Sequence, residues 1–110
     1  MAKIVFLIRS TPFRELNNYE AMRASTALYD HEVTLAWMGD GVFYLLKPSD
    51  KGNTKPLLRL FKDLNISLIV DADDLTRRGF TSQDVIPEVS IVPHAQFIDT
   101  LAQSESVLSF

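Results

Sequence analysis

The residues with the clearest chemical potential are three carboxylates at the end of an apolar run, in Leu68-Ile-Val-Asp-Ala-Asp-Asp-Leu-Thr76. Asp71 and Asp73, one residue apart at a strand end, are the pattern that aspartyl-phosphate chemistry uses, one as nucleophile and one as acid, with Mg²⁺ balancing the phosphoryl charge. That reading predicts further lysine and acidic motifs downstream, and no lysine follows Asp74. The plainer reading is a strand end followed by a helix cap. Asp73 or Asp74 then satisfies an orphan N–H and complements the helix dipole, a contribution on the order of 0.5–2 kcal/mol. An independent small-ligand or phosphate-binding protein, or a metal-dependent phosphotransferase using Asp71 and Asp73, stays open as the alternative.

Other polar groups are weaker candidates. Ser10 and Thr11 stand just before a predicted helix, where hydroxyls and helix amides can cradle an anion, but the loop from Arg9 to Glu15 has no glycine to let the backbone close round one. His31 and His94 are the only histidines, and neither has a second histidine at ligand spacing. His31 reads as a solvated turn beside Asp30 and Glu32, and His94 as part of a helix's first turn. Arg77-Arg78-Gly79 reads as a helix C-terminus, cations on the dipole and glycine as the cap. No Gly-x-Ser-x-Gly elbow is present. The chain has no cysteine, which excludes disulfides, thiolate metal sites, cysteine nucleophiles and persulfide carriage by this chain. No cofactor and no metal site is expected.

The elements that must position these groups follow from apolar periodicity. At 110 residues, with 46% hydrophobic and 23% charged residues, the chain is expected to form one domain over 1–110. Lys3 to Ile8 is a continuous run suited to a strand covered on both faces. A helix follows from about Tyr19 to Leu28, with Asn17 or Asn18 as its cap, then a second strand from Val33 to Met38. Lys47 to Pro56 is a polar loop whose prolines, glycine and lysines suggest mobility. Leu57, Leu58, Leu60, Phe61 and Leu64 have helical spacing, with Pro56 in the first turn and Asn65 as the stop. Ile66 to Val70 is a third strand, followed by a short helix ending at Gly79, and Thr81 or Ser82 caps a further turn. Val89 to Val92 is a fourth strand. His94 to Gln103 is a helix with Phe97, Ile98 and Leu101 inward, and Ser106 to Phe110 a fifth strand. Alternation of this kind predicts an α/β fold, three layers around an open, mostly parallel five-stranded sheet. The crevice beyond the carboxyl ends of its strands then comprises Arg9 to Arg14, Gly39 to Phe43 and Asp71 to Asp74.

A formal net charge of −3 gives no reason to expect a membrane or direct nucleic-acid surface, and all 11 basic residues lie at or before Arg78. The apolar runs are too short to span a bilayer and the start lacks a signal-peptide pattern, so a cytoplasmic protein is expected.

Gly39-Asp40-Gly41-Val42-Phe43-Tyr44-Leu45-Leu46 could be read as a hairpin return or as a helix. Together with Leu75-Thr-Arg-Arg-Gly79 and the short final strand ending in Phe110, this run resembles the DsrE/DsrF-like family of small sulfur-relay proteins, closer to its TusC/DsrF-type subunits than to the sulfur-carrying DsrE/TusD type. The resemblance implies a flavodoxin-like domain working as an oligomer, homomeric or heteromeric, commonly trimers stacked into hexamers, in tRNA thiolation or sulfur oxidation. It also implies a short helical segment starting near Asp40 as N-cap, with Asp40 at the crevice. On such a helix Val42, Phe43, Tyr44 and Leu45 point to more than one side, so they are expected to contact a neighbouring subunit. Counting back from Arg78-Gly79, the family's active cysteine falls at or next to Asp71, where a carboxylate cannot hold sulfane sulfur. The resemblance therefore implies either a noncatalytic subunit supporting a cysteine-bearing DsrE/TusD-type paralogue, the preferred reading, or a member whose activity has changed. Ser10, Thr11, Asp40, Asp71 and Asp73 are the expected binding residues.

Overall fold

The computed structural model describes residues 2–11, 17–28, 30–49, 51 and 54–110. In chain order these form β1 (Lys3–Ile8), α1 (Asn17–Thr26), β2 (Glu32–Trp37), a 3₁₀ turn (Gly39–Leu45), α2 (Lys55–Asp63), β3 (Ser67–Asp71), α3 (Ala72–Arg77), a second 3₁₀ turn (Ser82–Asp84), β4 (Ser90–Val92), α4 (His94–Gln103) and β5 (Ser106–Ser109). The five strands make one sheet in the order β4-β3-β2-β1-β5, and every pairing is parallel. The register aligns Phe6 with Leu35 and Leu108, and Leu35 with Leu68.

Alternation along each strand divides the apolar residues between two faces. Phe6, Ile8, Val33, Leu35, Trp37, Leu68 and Val70 enter the larger core, which Ala21 and Met22 of α1, Leu58 and Phe61 of α2, and Leu75 of α3 close. Val5, Ala36 and Val92 face the other way, where Phe97 and Leu101 of α4 cover them. Three consecutive crossovers step one way across the sheet and the fourth steps back past all of them to β5, so among the described helices α4 alone covers the second face. Ile98 was expected to point inward with Phe97; it is 45% exposed, because one helix turns only a narrow stripe to the sheet.

The segment from Gly39 onward is a short helical one, as the resemblance implied, but it is 3₁₀ and its N-cap position is Met38 rather than Asp40, which already lies inside the turn. In a 3₁₀ turn residues three apart eclipse, so Gly39, Val42 and Leu45 share one ridge, Gly41 and Tyr44 a second, and Asp40 and Phe43 a third. Gly41, Val42, Tyr44 and Leu45 on the first two ridges are buried, Gly39 at the start of the first is half-buried, and the third ridge reaches the surface. This corrects the expectation that one core could not cover the run: Val42, Tyr44 and Leu45 are at most 2% exposed within the chain's own core. Phe43 alone of the four keeps accessible surface, its ring edge-on to Phe80 at 6.0 Å. Tyr44 stacks on Trp37 at 6.0 Å, the Trp37 Nε1–H donates to Asn18 Oδ1 at 2.9 Å, and the Tyr44 and Thr54 hydroxyls share a hydrogen bond. A Cβ on Gly41 would stand 2.5 Å from the Ile8 carbonyl oxygen, so this turn sits directly on the end of β1.

Of the 47–56 loop, residues 50, 52 and 53 lie outside the described residues, and two of the described side chains bond back to the end of the 3₁₀ turn. Ser49 Oγ donates to Tyr44 O at 2.8 Å, and Lys51 Nζ donates to Leu46 O at 2.7 Å. Asn65 (φ 57°) ends α2 and Gly79 (φ 82°) follows α3, both in the left-handed region that those stops require.

Candidate functional site

Because all strands run the same way, their carboxyl ends share one edge of the sheet. In the sheet's own order that edge carries His94 beyond β4, Asp71 at the end of β3, Gly39 and Asp40 beyond β2, and Arg9 and Ser10 beyond β1.

Asp71 ends β3 and caps α3. Its side chain, not that of Asp73 or Asp74, is the cap: Oδ1 accepts the Asp73 amide N–H at 3.0 Å. The expectation that Asp73 or Asp74 would cap is therefore corrected. The reason is that α3 begins at Ala72, two residues before the start that a cap at Asp73 would give, leaving Asp71 in extended backbone with φ −72° and ψ 119°.

The other oxygen of Asp71 lies 2.7 Å from His94 Nδ1. Asp71 is 2% exposed, whereas the His94 side chain is half exposed at 50%. His94 sits here because Val92 is the register partner of Asp71, and the chain turns into α4 two residues later. Accepting the imidazole hydrogen bond and its positive charge, Asp71 raises the His94 pKa above the ordinary value, with smaller contributions from Asp73 and Asp74. An Asp73 oxygen completes a group of three whose polar atoms lie within 4.8 Å. Within it the Asp71 oxygen and His94 Nδ1 are committed to each other by the hydrogen bond, so the arrangement is a carboxylate–imidazole dyad with an exposed carboxylate beside it.

Asp74 does a different job. Its side chain is 6% exposed and accepts the Gly39 N–H at 3.0 Å, Arg77 Nη1 at 2.8 Å and Arg78 Nη1 at 3.4 Å. Arg78 also reaches Asp40 at 3.3 Å. Arg77 and Arg78 thus neutralise a buried carboxylate as well as ending the helix, and Asp40 is bound from the surface side of the same network.

Ser10 and Thr11 do not join this group. Ser10 Oγ accepts from Asn17 Nδ2 at 3.1 Å, and residues 12–16 of that expected anion loop lie outside the described residues. Of the expected binding residues, the fold brings together Asp71 and Asp73, with Asp40 one strand away through Arg78. It adds His94, which the sequence reading set aside as helix furniture. His31, in its turn, receives the Ala2 N–H on Nδ1 at 3.2 Å and stands 3.9 Å from Asp30.

Comparison with known proteins places this architecture among relatives of full length. The model of the DsrE/DsrF-like family matches residues 2–110. A protein named TusC homolog from Vibrio vulnificus is 29% identical over the whole of both chains. The intracellular sulfur oxidation protein DsrF of Allochromatium vinosum is 27% identical, covering 98% of this chain and 96% of its own. Among solved structures, the ychN protein of E. coli superposes with a TM-score of 0.83 at 22% identity, and MTH1491 of Methanobacterium thermoautotrophicum with 0.76 at 14%, each over the whole of both chains. These two likenesses establish the fold, a flavodoxin-like α/β sheet.

Proposed function

The chain belongs to the DsrE/DsrF-like family, whose model it matches from residue 2 to residue 110, and from that premise we propose that it is a noncatalytic, assembly-forming subunit of a sulfur-relay complex. One observation carries the reading: a full-length family match in a chain without a cysteine. Sulfane sulfur is held on a thiolate, and none of this chain's side chains supplies one. The sulfur is then carried by a cysteine-bearing DsrE/TusD-type paralogue in the same complex, a trimer or hexamer serving tRNA 2-thiolation or sulfur oxidation in the cytoplasm. The relatives named TusC homolog and DsrF support this assignment. No described helix is long and apolar enough to cross a membrane.

Apolar groups left outside the two cores support the assembly half of the proposal. Val107 and Leu108 are 43% and 44% exposed on β5, an edge strand with one side unpaired, and Ile98 and part of Phe43 are uncovered as well. The phosphotransfer alternative needs an outward carboxylate at Asp71, and both oxygens of that buried side chain are already engaged.

Co-expression with a cysteine-bearing paralogue of similar size, followed by native mass measurement, tests the proposal. A stable complex of the two chains is expected. A persistent monomer at micromolar concentration, with no such partner retained, would sink it.

A further inference from the structure

The Asp71–His94 dyad has one closed end and one open end. Asp71 is anchored by the Asp73 N–H on Oδ1 and faces Nδ1 of His94 with Oδ2. With that carboxylate ionised, Nδ1 carries the proton, which fixes the neutral ring's tautomer and leaves Nε2 as its basic atom. Among the described residues nothing bonds Nε2, and the ring is half exposed at the carboxyl edge of the sheet. An oriented imidazole with a free basic nitrogen is the part that proton transfer requires.

The charges around it select what can approach. Asp71 and Asp73 are carboxylates, while Asp74 behind them is already matched by Arg77 and Arg78. A phosphate dianion arriving here would meet the uncompensated Asp73 charge. A neutral S–H meets no such barrier, and the charge that develops on losing its proton forms directly against the imidazolium, whose own charge Asp71 balances.

We propose that His94, oriented by Asp71, is where this subunit engages the reactive thiol of its cysteine-bearing partner, Nε2 taking the thiol proton and holding the resulting thiolate. This rests on the sulfur-relay reading above. In the step the S–H bond breaks, an Nε2–H bond forms, and the electron pair stays on sulfur as a thiolate competent to attack a persulfide. His94 is thereby a residue through which a chain lacking cysteine contributes to sulfur transfer. Asp71 acts through it as a positioning residue.

The test uses the purified complex of the full chain with a cysteine-bearing DsrE/TusD-type paralogue, in the presence of a chelator. Iodoacetamide alkylation of the paralogue's reactive cysteine is followed by mass spectrometry against pH, for the paralogue alone, for the wild-type complex, and for complexes with His94→Gln and Asp71→Asn. In the wild-type complex the alkylation midpoint should fall by about one pH unit relative to the paralogue alone, roughly tenfold faster modification well below the midpoint. His94→Gln should return it to the isolated value, and Asp71→Asn should give a smaller shift than wild type. A wild-type complex whose profile His94→Gln leaves unchanged overturns the inference alone. Failure of the wild-type chains to associate, seen by native mass before any alkylation, overturns the relay reading and this inference with it. Should Asp71→Asn disturb folding, the exposed His94→Gln decides the matter by itself.

Discussion

The Asp74 carboxylate receives the amide N–H of Gly39 at 3.0 Å, across 35 positions of sequence. This bond joins the first turn of α3 to the start of the 3₁₀ turn, and the two arginines at the end of α3 meet the same carboxylate. Replacing Asp74 with Ala leaves the half-buried Gly39 N–H and Arg77 without this acceptor, and Arg78 with only Asp40 and the main-chain carbonyl of residue 74. Urea denaturation should show a loss of about 1–3 kcal/mol, with Asp40→Ala, which removes only the exposed Arg78 partner, costing well under about 1 kcal/mol.

The three ridges of the 3₁₀ turn separate folding from assembly. Tyr44→Asp puts a charge into a fully enclosed site against Trp37 and should prevent the monomer from folding, a loss of at least about 3–5 kcal/mol. Phe43→Asp lies on the outer ridge and should leave a folded chain by circular dichroism while weakening oligomers in native mass spectra. Equal loss of fold in both variants would contradict the period-three reading.

Gly41 is held by contact with backbone. Gly41→Ala sets a methyl 2.5 Å from the Ile8 carbonyl oxygen, which can move only if β1 moves with it. A destabilisation of about 1–3 kcal/mol is expected by thermal or urea unfolding.

The dyad couples stability to pH with a definite sign. His94 titrates higher in the folded chain than its ordinary value of 6.5, chiefly through the Asp71 hydrogen bond and then the Asp71 charge. The stabilisation is therefore complete below about 6.5 and disappears as pH rises through the folded-state value. Wild type should exceed His94→Gln in stability most clearly near pH 5.5–6, and the gap should close on the alkaline side. NMR titration should place His94 above its ordinary value and return it towards that value in Asp71→Asn.

Tyr44 gives an independent check at the other end of the scale. Burial pushes its phenol up to about 12, against which the Thr54 hydrogen bond acts only partly. Ultraviolet titration should find a phenol ionising near that pH in the folded chain and missing from Tyr44→Phe. Since the phenol of the unfolded chain ionises near 10, this burial also makes the fold lose stability from about pH 10 upward.

Element order was legible because each strand and helix announces its own period: Lys3 to Ile8 reads as a covered strand, and Leu57 to Leu64 as an amphipathic helix, without knowledge of any neighbour. The left-handed stops at Asn65 and Gly79 were legible for the same local reason. What escaped was non-local or of a different period. His94 meets Asp71 only because β4 pairs with β3 in a register that sets Val92 beside Asp71. The Val-Pro-His sequence after a short strand offered one signal, since successive strands in such sheets are usually neighbours. A 3.6-residue wheel scatters Val42, Tyr44 and Leu45 to more than one side and so suggests a subunit contact, whereas a three-residue repeat stacks them on two inward ridges.

The sheet order also fixes a timetable for biosynthesis. β1 is made first and lies inside the sheet, yet its neighbour on one side is β5, and the bond between Lys3 and Glu105 closes over 102 positions of chain. At roughly 5–20 residues added per second, the first strand waits on the order of seconds beside β2 with its other edge open. A nascent chain in that state is a natural client for whatever shields exposed strand edges during translation.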